Sequence, residues 1–360
     1  MTVADDKRRV KEAQLEAAAP NADHVLRPGC ERFERIVAYL ERTVMSPVAL
    51  VGQAPGASHD GWIFEVGESQ PGKVLVRLEP EEGPFLRYDG AREAALLGEL
   101  AVRGFAVPRV LGVADRDVCG ARFLVLEWID GDVLNPRAAA DMDVARRRAL
   151  ATEMAETLAQ LHGVDGSQLR GPGGPMDESD PGIMAMFREF DRALAQLRLV
   201  DTVVLDYVRL WLEKHARSRT AEQCLVHGDF RLGNLVWRDD RIAGILDWET
   251  ARIGDPLFDI AWMCMGATQG SHSIMGLVTR DEFIGLYAQT SGRTVDPKDL
   301  VFWQVVAAWV RGCTEARLLD ISIMSHAPSA RDARDLSWEF GSIRTDEELL
   351  LLIDAYEGRG

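Results

Sequence analysis

Cysteine is scarce in this 360-residue chain, and its few thiols are scattered. There are five, with no CxxC pair among them: Cys30, Cys119, Cys224, Cys264 and Cys313. An odd number without close pairs argues against a disulfide framework, and the spacing is not that of a zinc site. Such thiols are typical of a reducing compartment, so we expect a cytoplasmic protein.

The sequence also lacks long apolar runs. No stretch approaches the roughly 18 residues that are needed to span a bilayer. The charged segment Met1–Arg9 is not followed by an apolar stretch, as it would be in a signal peptide. We therefore expect neither a membrane partner nor a secretory signal.

Basic residues are the third shortage. The chain has 41 Lys and Arg against 57 Asp and Glu, which gives a net charge of −16. Proteins that bind nucleic acid need clustered cations to contact phosphates, so this balance disfavours a nucleic-acid partner. The same acidity would permit a cationic substrate, but it does not require one.

The apolar residues that are present predict an α+β protein with a change of character near residue 128. Hydrophobic residues make up 47% of the chain, enough for a sizeable core, and the length favours two lobes. Before the change, the pattern predicts two helices and four strands: Glu31–Arg42, Val48–Val51, Trp62–Val66, Val74–Leu78, Ala91–Val102 and Phe123–Trp128. After it, helices dominate except in 225–248: Ala138–His162, Phe187–His215 and the chain from Pro256 onward. Residues 1–25 are expected to form a tail or loose helix.

Chemistry concentrates in one stretch, Leu225–Ala261, which reads LVHGDFRLGNLVWRDDRIAGILDWETARIGDPLFDIA. Two apolar, β-prone runs flank four charged residues, which predicts a hairpin with a two-residue loop at Asp240-Arg241. In that register Asn234 faces Asp247 across the open end of the hairpin. An amide oxygen beside a carboxylate suits magnesium, which takes its remaining ligands from water and phosphate oxygens.

Asp229 precedes Asn234 in the loop that enters the hairpin. There its carboxylate could accept a hydroxyl proton or orient an alcohol, and phosphoryl transfer asks for little beyond a positioned nucleophile and metal between the phosphates. The neighbouring polar residues have structural interpretations. His227 is expected to be a buried, hydrogen-bonded loop residue, Asp255 a helix cap, and Asp259 a holder of backbone amides in the Asp229 loop.

The joint pattern His-Gly-Asp-x-x-x-x-Asn, Ile-Leu-Asp-Trp and Gly-Asp-Pro-x-x-Asp resembles the aminoglycoside phosphotransferase and choline kinase superfamily, whose fold is similar to that of protein kinases. The resemblance implies a bilobal fold, with a small antiparallel-sheet N-lobe at 26–128 and a larger, mainly helical C-lobe at 129–360. It also implies that Asp229 is the catalytic aspartate and that Asn234 and Asp247 bind Mg²⁺. ATP or GTP would donate the phosphoryl group.

The same resemblance assigns nucleotide contacts to the N-lobe. Ser58, in Gly-Ala-Ser-His, resembles the phosphate loop between the first two strands. Glu93 looks like the helix glutamate that pairs with a strand lysine, although that strand position holds Arg77, whose planar fork differs from an ammonium group. Glu127 and Ile129 resemble the hinge whose backbone meets the adenine. The arginine form also resembles a branch of bacterial phosphotransferases, some of them akin to the kinase-like domain fused to acyl-CoA dehydrogenases.

These observations favour a small-molecule kinase that acts on a hydroxyl group. A protein kinase needs a long activation segment, whereas only Trp248–Gly254 separates Asp247 from the expected helix start. A non-catalytic nucleotide-binding protein of the same fold remains the alternative. The acceptor is left open between aminoglycosides and other hydroxyl compounds, as is a monomeric or homodimeric state. By resemblance, the pocket for the phosphate acceptor is expected in the C-lobe, formed by residues 163–182, 187–215 and 303–311.

Overall fold

The computed structural model describes residues 29–54, 61–67, 72–79, 89–166, 169, 183–197, 202–216, 224–265, 273–324 and 345–359, without the side chains of 322–324. The predicted N-terminal tail therefore lies outside the described residues. Within them, no helix is both long and apolar enough to cross a membrane.

The N-lobe is a five-stranded antiparallel sheet in the order β1-β2-β3-β5-β4 with helices against it. Its elements, in chain order, are α1 (Glu31–Val44), β1 (Val48–Gln53), β2 (Gly61–Val66), β3 (Gly72–Leu78), α2 (Gly90–Val102), β4 (Val110–Ala114), α3 (Arg116–Cys119) and β5 (Phe123–Glu127). Helix α1 buries Phe33, Ile36 and Leu40, which recur at helical spacing and pack against alternate sheet residues such as Val74 and Val76.

The C-lobe is mainly helical and carries the larger hydrophobic core. Its elements are β6 (Asp132–Val133), α4 (Pro136–Ala140), α5 (Val144–His162), α6 (Ile183–Leu194), α7 (Val203–Ala216), β7 (Cys224–Val226), β8 (Leu235–Arg238), β9 (Arg241–Ile245), β10 (Arg252–Gly254), α8 (Leu257–Cys264), β11 (Ser273–Ile274), β12 (Val278–Thr279), α9 (Arg280–Ser291), α10 (Pro297–Met324) and α11 (Thr345–Glu357). Strands β6, β8 and β9 form one small sheet, and β7 pairs with β10 in another. The two small sheets flank the loop that contains Asp229.

The expected small sheet lobe and larger helical lobe are confirmed, but several elements differ from the prediction. The helix predicted over 138–162 is divided into α4 and α5, because Asp143 caps α5 by accepting a hydrogen bond from the Arg146 backbone N–H at 2.9 Å. The helix predicted over 187–215 is divided into α6 and α7. Strand β4 was not predicted, since its exposed edge position leaves no alternating apolar pattern.

Candidate active site

The hairpin of β8 and β9 exists, but its turn lies one residue earlier than predicted. Asp239 and Asp240 form the turn with φ of 52° and 58°. A two-residue hairpin favours left-handed residues, which aspartate tolerates better than the arginine of the predicted loop. A bulge at Ala243 then shifts the pairing, so that the Leu246 N–H donates to the Asn234 carbonyl at 2.8 Å. Asn234 is thus paired with Leu246 and not with Asp247.

Asp247 nevertheless reaches the same cluster, because the backbone turns sharply at this residue. Its φ of 67° ends the extended chain and starts a short 3₁₀ turn at Trp248–Thr250. An Oδ1 atom of Asp247 lies 3.6 Å from Nη1 of Arg77 in the N-lobe sheet. Burial raises the pKa of Asp247, an effect that Arg77 opposes and that the nearby charge of Asp229 reinforces. Two carboxylates in such proximity make a site that favours a cation.

Arg77 and Glu93 form the ion pair that was predicted between β3 and α2. Both side chains are buried, so each needs the other as its counter-charge. Because Arg77 also faces Asp247, it connects the helix glutamate of the N-lobe with the acidic cluster of the C-lobe. A lysine at this position would lack the planar fork that permits two such contacts at once.

The loop before Asp229 is held by contacts that were predicted for Asp259. Its two carboxylate oxygens accept hydrogen bonds from the backbone N–H groups of His227 and Gly228, both at 2.8 Å. Although burial opposes ionisation, a hydrogen bond and charge from His162 lower the pKa of Asp259. Gly228 has φ of +89°, and a Cβ there would lie 2.7 Å from the Thr250 carbonyl, so this position requires glycine.

His227 and Asp255 also have the structural roles expected of them. His227 is fully buried, its Nε2 lies 2.9 Å from the Leu246 carbonyl, and its Nδ1 accepts from the Asp229 N–H at 3.2 Å. These partners assign the proton to Nε2, which leaves Nδ1 as the acceptor. Asp255 accepts from the Leu257 N–H at 2.9 Å and so caps α8.

The Asp229 carboxylate is surrounded by three side-chain donors. Trp262 Nε1 donates to Oδ1 at 2.6 Å, and Asn234 Nδ2 donates to Oδ2 at 2.7 Å. The Nε–H of Arg231 is shared between both oxygens at 3.2 and 3.1 Å. With its amide nitrogen directed at Asp229, Asn234 presents its Oδ1 as the atom that a metal could take.

Sequence reasoning missed Arg231 and Trp262 as members of this cluster. Arg231 lies two residues after Asp229, and its guanidinium folds over Gly233, where a Cβ would lie 2.5 Å from Nη1. The Arg231-x-Gly233 spacing could therefore have indicated that the arginine folds back here, because glycine leaves the space that the guanidinium fills. Trp262 belongs to α8, and nothing local in the sequence indicated that its indole would reach Asp229.

Of the residues expected to contact the nucleotide base and phosphate loop, the structure describes Glu127 and Ile129 but not Ser58. Glu127 ends β5, and its side chain accepts a hydrogen bond from Arg109 Nε at 2.8 Å. Ile129 follows it and packs against Gly244 of β9, so the connection between the lobes is anchored on the hairpin. Ser58 lies outside the described residues.

The donor set fits magnesium better than a transition metal. Among the described residues, no group of three or more His, Cys, Asp or Glu side chains is arranged to hold a metal ion. Magnesium does not need such a cage, because it is usually held by one or two protein oxygens together with phosphate oxygens and water. Asn234 and Asp247 match that requirement.

Two arginines contact the segment that follows Asp247, Arg92 from the N-lobe and Arg252 from the C-lobe. The Arg252 guanidinium stacks 3.9 Å above the Phe258 ring, and burial lowers its pKa to about 10. Arg92 of α2 donates to the Ala251 carbonyl at 3.3 Å. Glu189 is the acidic residue whose charge acts on both arginines.

Comparison with known proteins identifies relatives of this chain. A curated relative, the human acyl-CoA dehydrogenase family member 11, is 30% identical over 204 residues, which are 52% of this chain and 26% of the relative. The chain therefore spans about a quarter of that relative's length.

Two solved structures share the fold. A candidate aminoglycoside phosphotransferase from Ralstonia eutropha matches with a TM-score of 0.67 and 19% identity, over 91% of this chain and 98% of the other. A second match is an aminoglycoside phosphotransferase, APH(4)-Ia, in a ternary complex with AMP-PNP and hygromycin B. Its TM-score is 0.58 and its identity 15%, over 89% of this chain and 98% of the other. The protein-kinase-like fold expected from the resemblance is confirmed. The sequence model of the phosphotransferase enzyme family matches residues 54–292, and the chain belongs to that family.

Proposed function

We propose that this protein transfers the γ-phosphoryl group of ATP, in the presence of Mg²⁺, to a hydroxyl group of a small molecule. The convergence of Asp229, Asn234, Asp247 and Arg77 from three separate segments carries the proposal. Phosphoryl transfer depends mainly on positioning and on stabilisation of charge, and this cluster supplies groups for both.

The polyphosphate would lie between the N-lobe sheet and the hairpin. Asn234 Oδ1 and the Asp247 carboxylate would hold the magnesium, which supplies charge neutralisation between the phosphates when it is bound. Arg77 would contact the phosphates with the part of its fork that Glu93 does not use. Glu93 fixes the direction of Arg77, because a buried guanidinium without its carboxylate partner would be costly.

Asp229 would orient the acceptor hydroxyl and accept its proton as the new bond forms. Its carboxylate is held by Trp262 and Asn234, so it presents a fixed direction to an incoming alcohol. Arg231, whose side chain is 37% exposed, is placed to exchange its contact with Asp229 for one with the transferred phosphoryl group. Its charge also acts on Asp247, which supports a position near the phosphates.

For the acceptor we propose a hydroxyl group on an acyl chain carried by coenzyme A. The relatives named acyl-CoA dehydrogenases contain a part similar to this chain within one polypeptide, which favours chemistry on related molecules. The half-exposed guanidinium of Arg231 beside Asp229 suits an anionic acceptor better than a polycationic aminoglycoside.

A substrate screen coupled to ADP release tests the proposal. Hydroxyacyl-CoA thioesters with the hydroxyl at different positions would be compared with aminoglycosides, choline, sugars and free hydroxy acids, with GTP as a second donor. We expect turnover with a thioester that is absent in Asp229→Ala. Turnover only with an aminoglycoside would contradict the acceptor class. Tight binding of MgATP without turnover of any compound would favour a non-catalytic nucleotide-binding protein.

A further inference from the structure

Helix α8 holds the catalytic loop through two side chains that lie one helical turn apart. Asp259 accepts hydrogen bonds from the backbone N–H groups of His227 and Gly228. Three residues later, Trp262 donates its Nε1–H to the Asp229 carboxylate at 2.6 Å. Because residues i and i+3 share a helix face, one face of α8 binds both the backbone and the carboxylate of the loop.

Packing fixes the Trp262 ring. It is stacked on Phe258, with centroids 5.9 Å apart and 23° between the planes. Phe258 in turn lies under the Arg252 guanidinium and meets the Trp303 ring edge-on at 6.2 Å. An indole offers a single donor in a fixed direction, so a packed ring aims its N–H at one point.

The other donors to Asp229 have further tasks or weaker contacts. Asn234 is a candidate metal ligand, so its side-chain amide must donate to Asp229 through Nδ2 and also offer Oδ1 to the metal. Arg231 shares one N–H between two oxygens at 3.1 and 3.2 Å, and its side chain is 37% exposed. A shared, long contact from an exposed side chain constrains the carboxylate less than a short bond from a packed ring. Trp262 is thus the donor best placed to determine the carboxylate orientation.

We propose that Trp262 is a positioning residue for phosphoryl transfer, which acts by holding the plane of the Asp229 carboxylate toward the acceptor hydroxyl. This inference rests on the proposed function, since it concerns the same carboxylate. Without the indole N–H, the carboxylate turns toward Arg231 and loses its alignment. A small misplacement of a catalytic group lowers turnover without lowering nucleotide affinity.

The test compares Trp262→Phe with a matched control, Trp211→Phe. Trp211 also donates its Nε1–H to a carboxylate, Glu357 Oε1 at 2.9 Å, but it lies between α7 and α11, away from the cluster. ATP hydrolysis with water as the acceptor is measured, together with calorimetric binding of MgAMP-PNP and the melting temperature. We expect at least about tenfold slower hydrolysis in Trp262→Phe. Its MgAMP-PNP affinity and all properties of Trp211→Phe are expected to stay near the wild-type values.

A double-mutant cycle shows whether Trp262 acts through Asp229. In an Asp229→Ala background, Trp262→Phe should cause no additional loss of hydrolysis. Equal turnover of Trp262→Phe and Trp211→Phe would overturn the inference, as would a full additional loss in the Asp229→Ala background.

A second readout needs no turnover. The indole N–H resonance of Trp262, assigned by its disappearance in Trp262→Phe, should move in Asp229→Ala, whereas the resonance of Trp211 should stay in place. A Trp262 resonance that is unchanged in Asp229→Ala would refute the contact on which the inference depends. Failure of the wild type to bind MgAMP-PNP would contradict the proposed function instead, and the resonance comparison would still decide the role of Trp262.

Discussion

At the scale of single residues, Asp229 is the carboxylate on which the donors of the candidate site converge. Its two oxygens accept hydrogen bonds from Trp262, Asn234 and Arg231, and its charge acts on Asp247. The donors hold this carboxylate in a fixed orientation, which is what placement of an acceptor hydroxyl requires. Its removal should therefore affect placement of the acceptor and leave the nucleotide in place.

For Asp229→Ala we expect phosphoryl transfer to fall by about a thousandfold or more, because the hydroxyl loses its orienting group. The dissociation constant for MgATP should change less than about threefold, since Arg77 and the metal ligands remain. Steady-state kinetics and calorimetry measure the two quantities. Asp239→Ala, in the exposed hairpin turn, is the control. Equal turnover of wild type and Asp229→Ala would contradict the assignment.

Arg77 offers a second prediction at this scale. Arg77→Lys keeps the charge but lacks the planar guanidinium fork that lets arginine contact Glu93, Asp247 and a phosphate at once. We therefore expect roughly tenfold weaker MgATP binding. Fluorescence titration with a labelled nucleotide measures it. Lys73→Arg, an exposed change on the same strand, serves as the control. MgATP binding unchanged in Arg77→Lys would place the phosphates away from this residue.

At the scale of elements, the active site is assembled where α8 meets the loop between β7 and β8. Asp259 links that loop with His162, whose Nε2 lies 3.2 Å from Oδ2 and whose Nδ1 lies 2.8 Å from the Tyr287 hydroxyl. All these groups are buried. A break in the middle of this chain of polar contacts leaves several buried groups without partners.

Asp259→Ala should destabilise the protein by about 3–5 kcal/mol, because two buried backbone N–H groups and His162 lose their acceptor. Asp255→Ala, which removes one capping bond from the same helix, should cost only about 1 kcal/mol. Urea unfolding followed by circular dichroism measures both. Similar losses for the two variants would show that the Asp259 contacts are not the mechanical link between α8 and the loop.

At the scale of the whole molecule, α10 and α11 meet through buried charges. Arg311 faces Glu348 and Glu315, and the Thr345 hydroxyl donates to Glu315 at 3.0 Å. Burial raises the pKa of Glu315 from an ordinary 4.5 to about 7, with Arg311 opposing the shift. One guanidinium cannot compensate fully for two buried carboxylates, so Glu315 holds its proton to a higher pH than an ordinary carboxyl group does.

This shift predicts a pH dependence of stability. Since the folded state holds the Glu315 proton more tightly than the unfolded chain, its contribution is complete below pH 4.5 and is lost as the pH rises through about 7. Relative to Glu315→Gln, the wild type should lose roughly 3 kcal/mol of unfolding free energy between pH 4.5 and pH 8. Urea unfolding at several pH values measures the difference. Glu347→Gln, an exposed change on α11, is the control, and a constant difference across this range would contradict the prediction.

Much of the fold and part of the candidate site could be predicted from the sequence. The alternation in β2 and β3 and the helical spacing in α1 are local patterns, so these elements were placed within about two residues. The turn at Asp239-Asp240 was misplaced by one residue because the preference of aspartate over arginine for left-handed turn positions was not considered. The hydrogen bonds of Asp259 to the Asp229 loop were also predicted, from its position one turn into the helix after Asp255-Pro256, although that loop is distant in sequence.

The amino-acid sequence by itself determined which groups this protein can bring to a reaction: the His-Gly-Asp loop, the amide of Asn234, the carboxylate of Asp247 and the unusual Arg77. Only the tertiary structure decided which of them meet, and it added Trp262 and Arg231 to the cluster. The physical reason is that local spacing fixes backbone geometry within an element, whereas a contact between α8 and a distant loop depends on packing of the whole C-lobe.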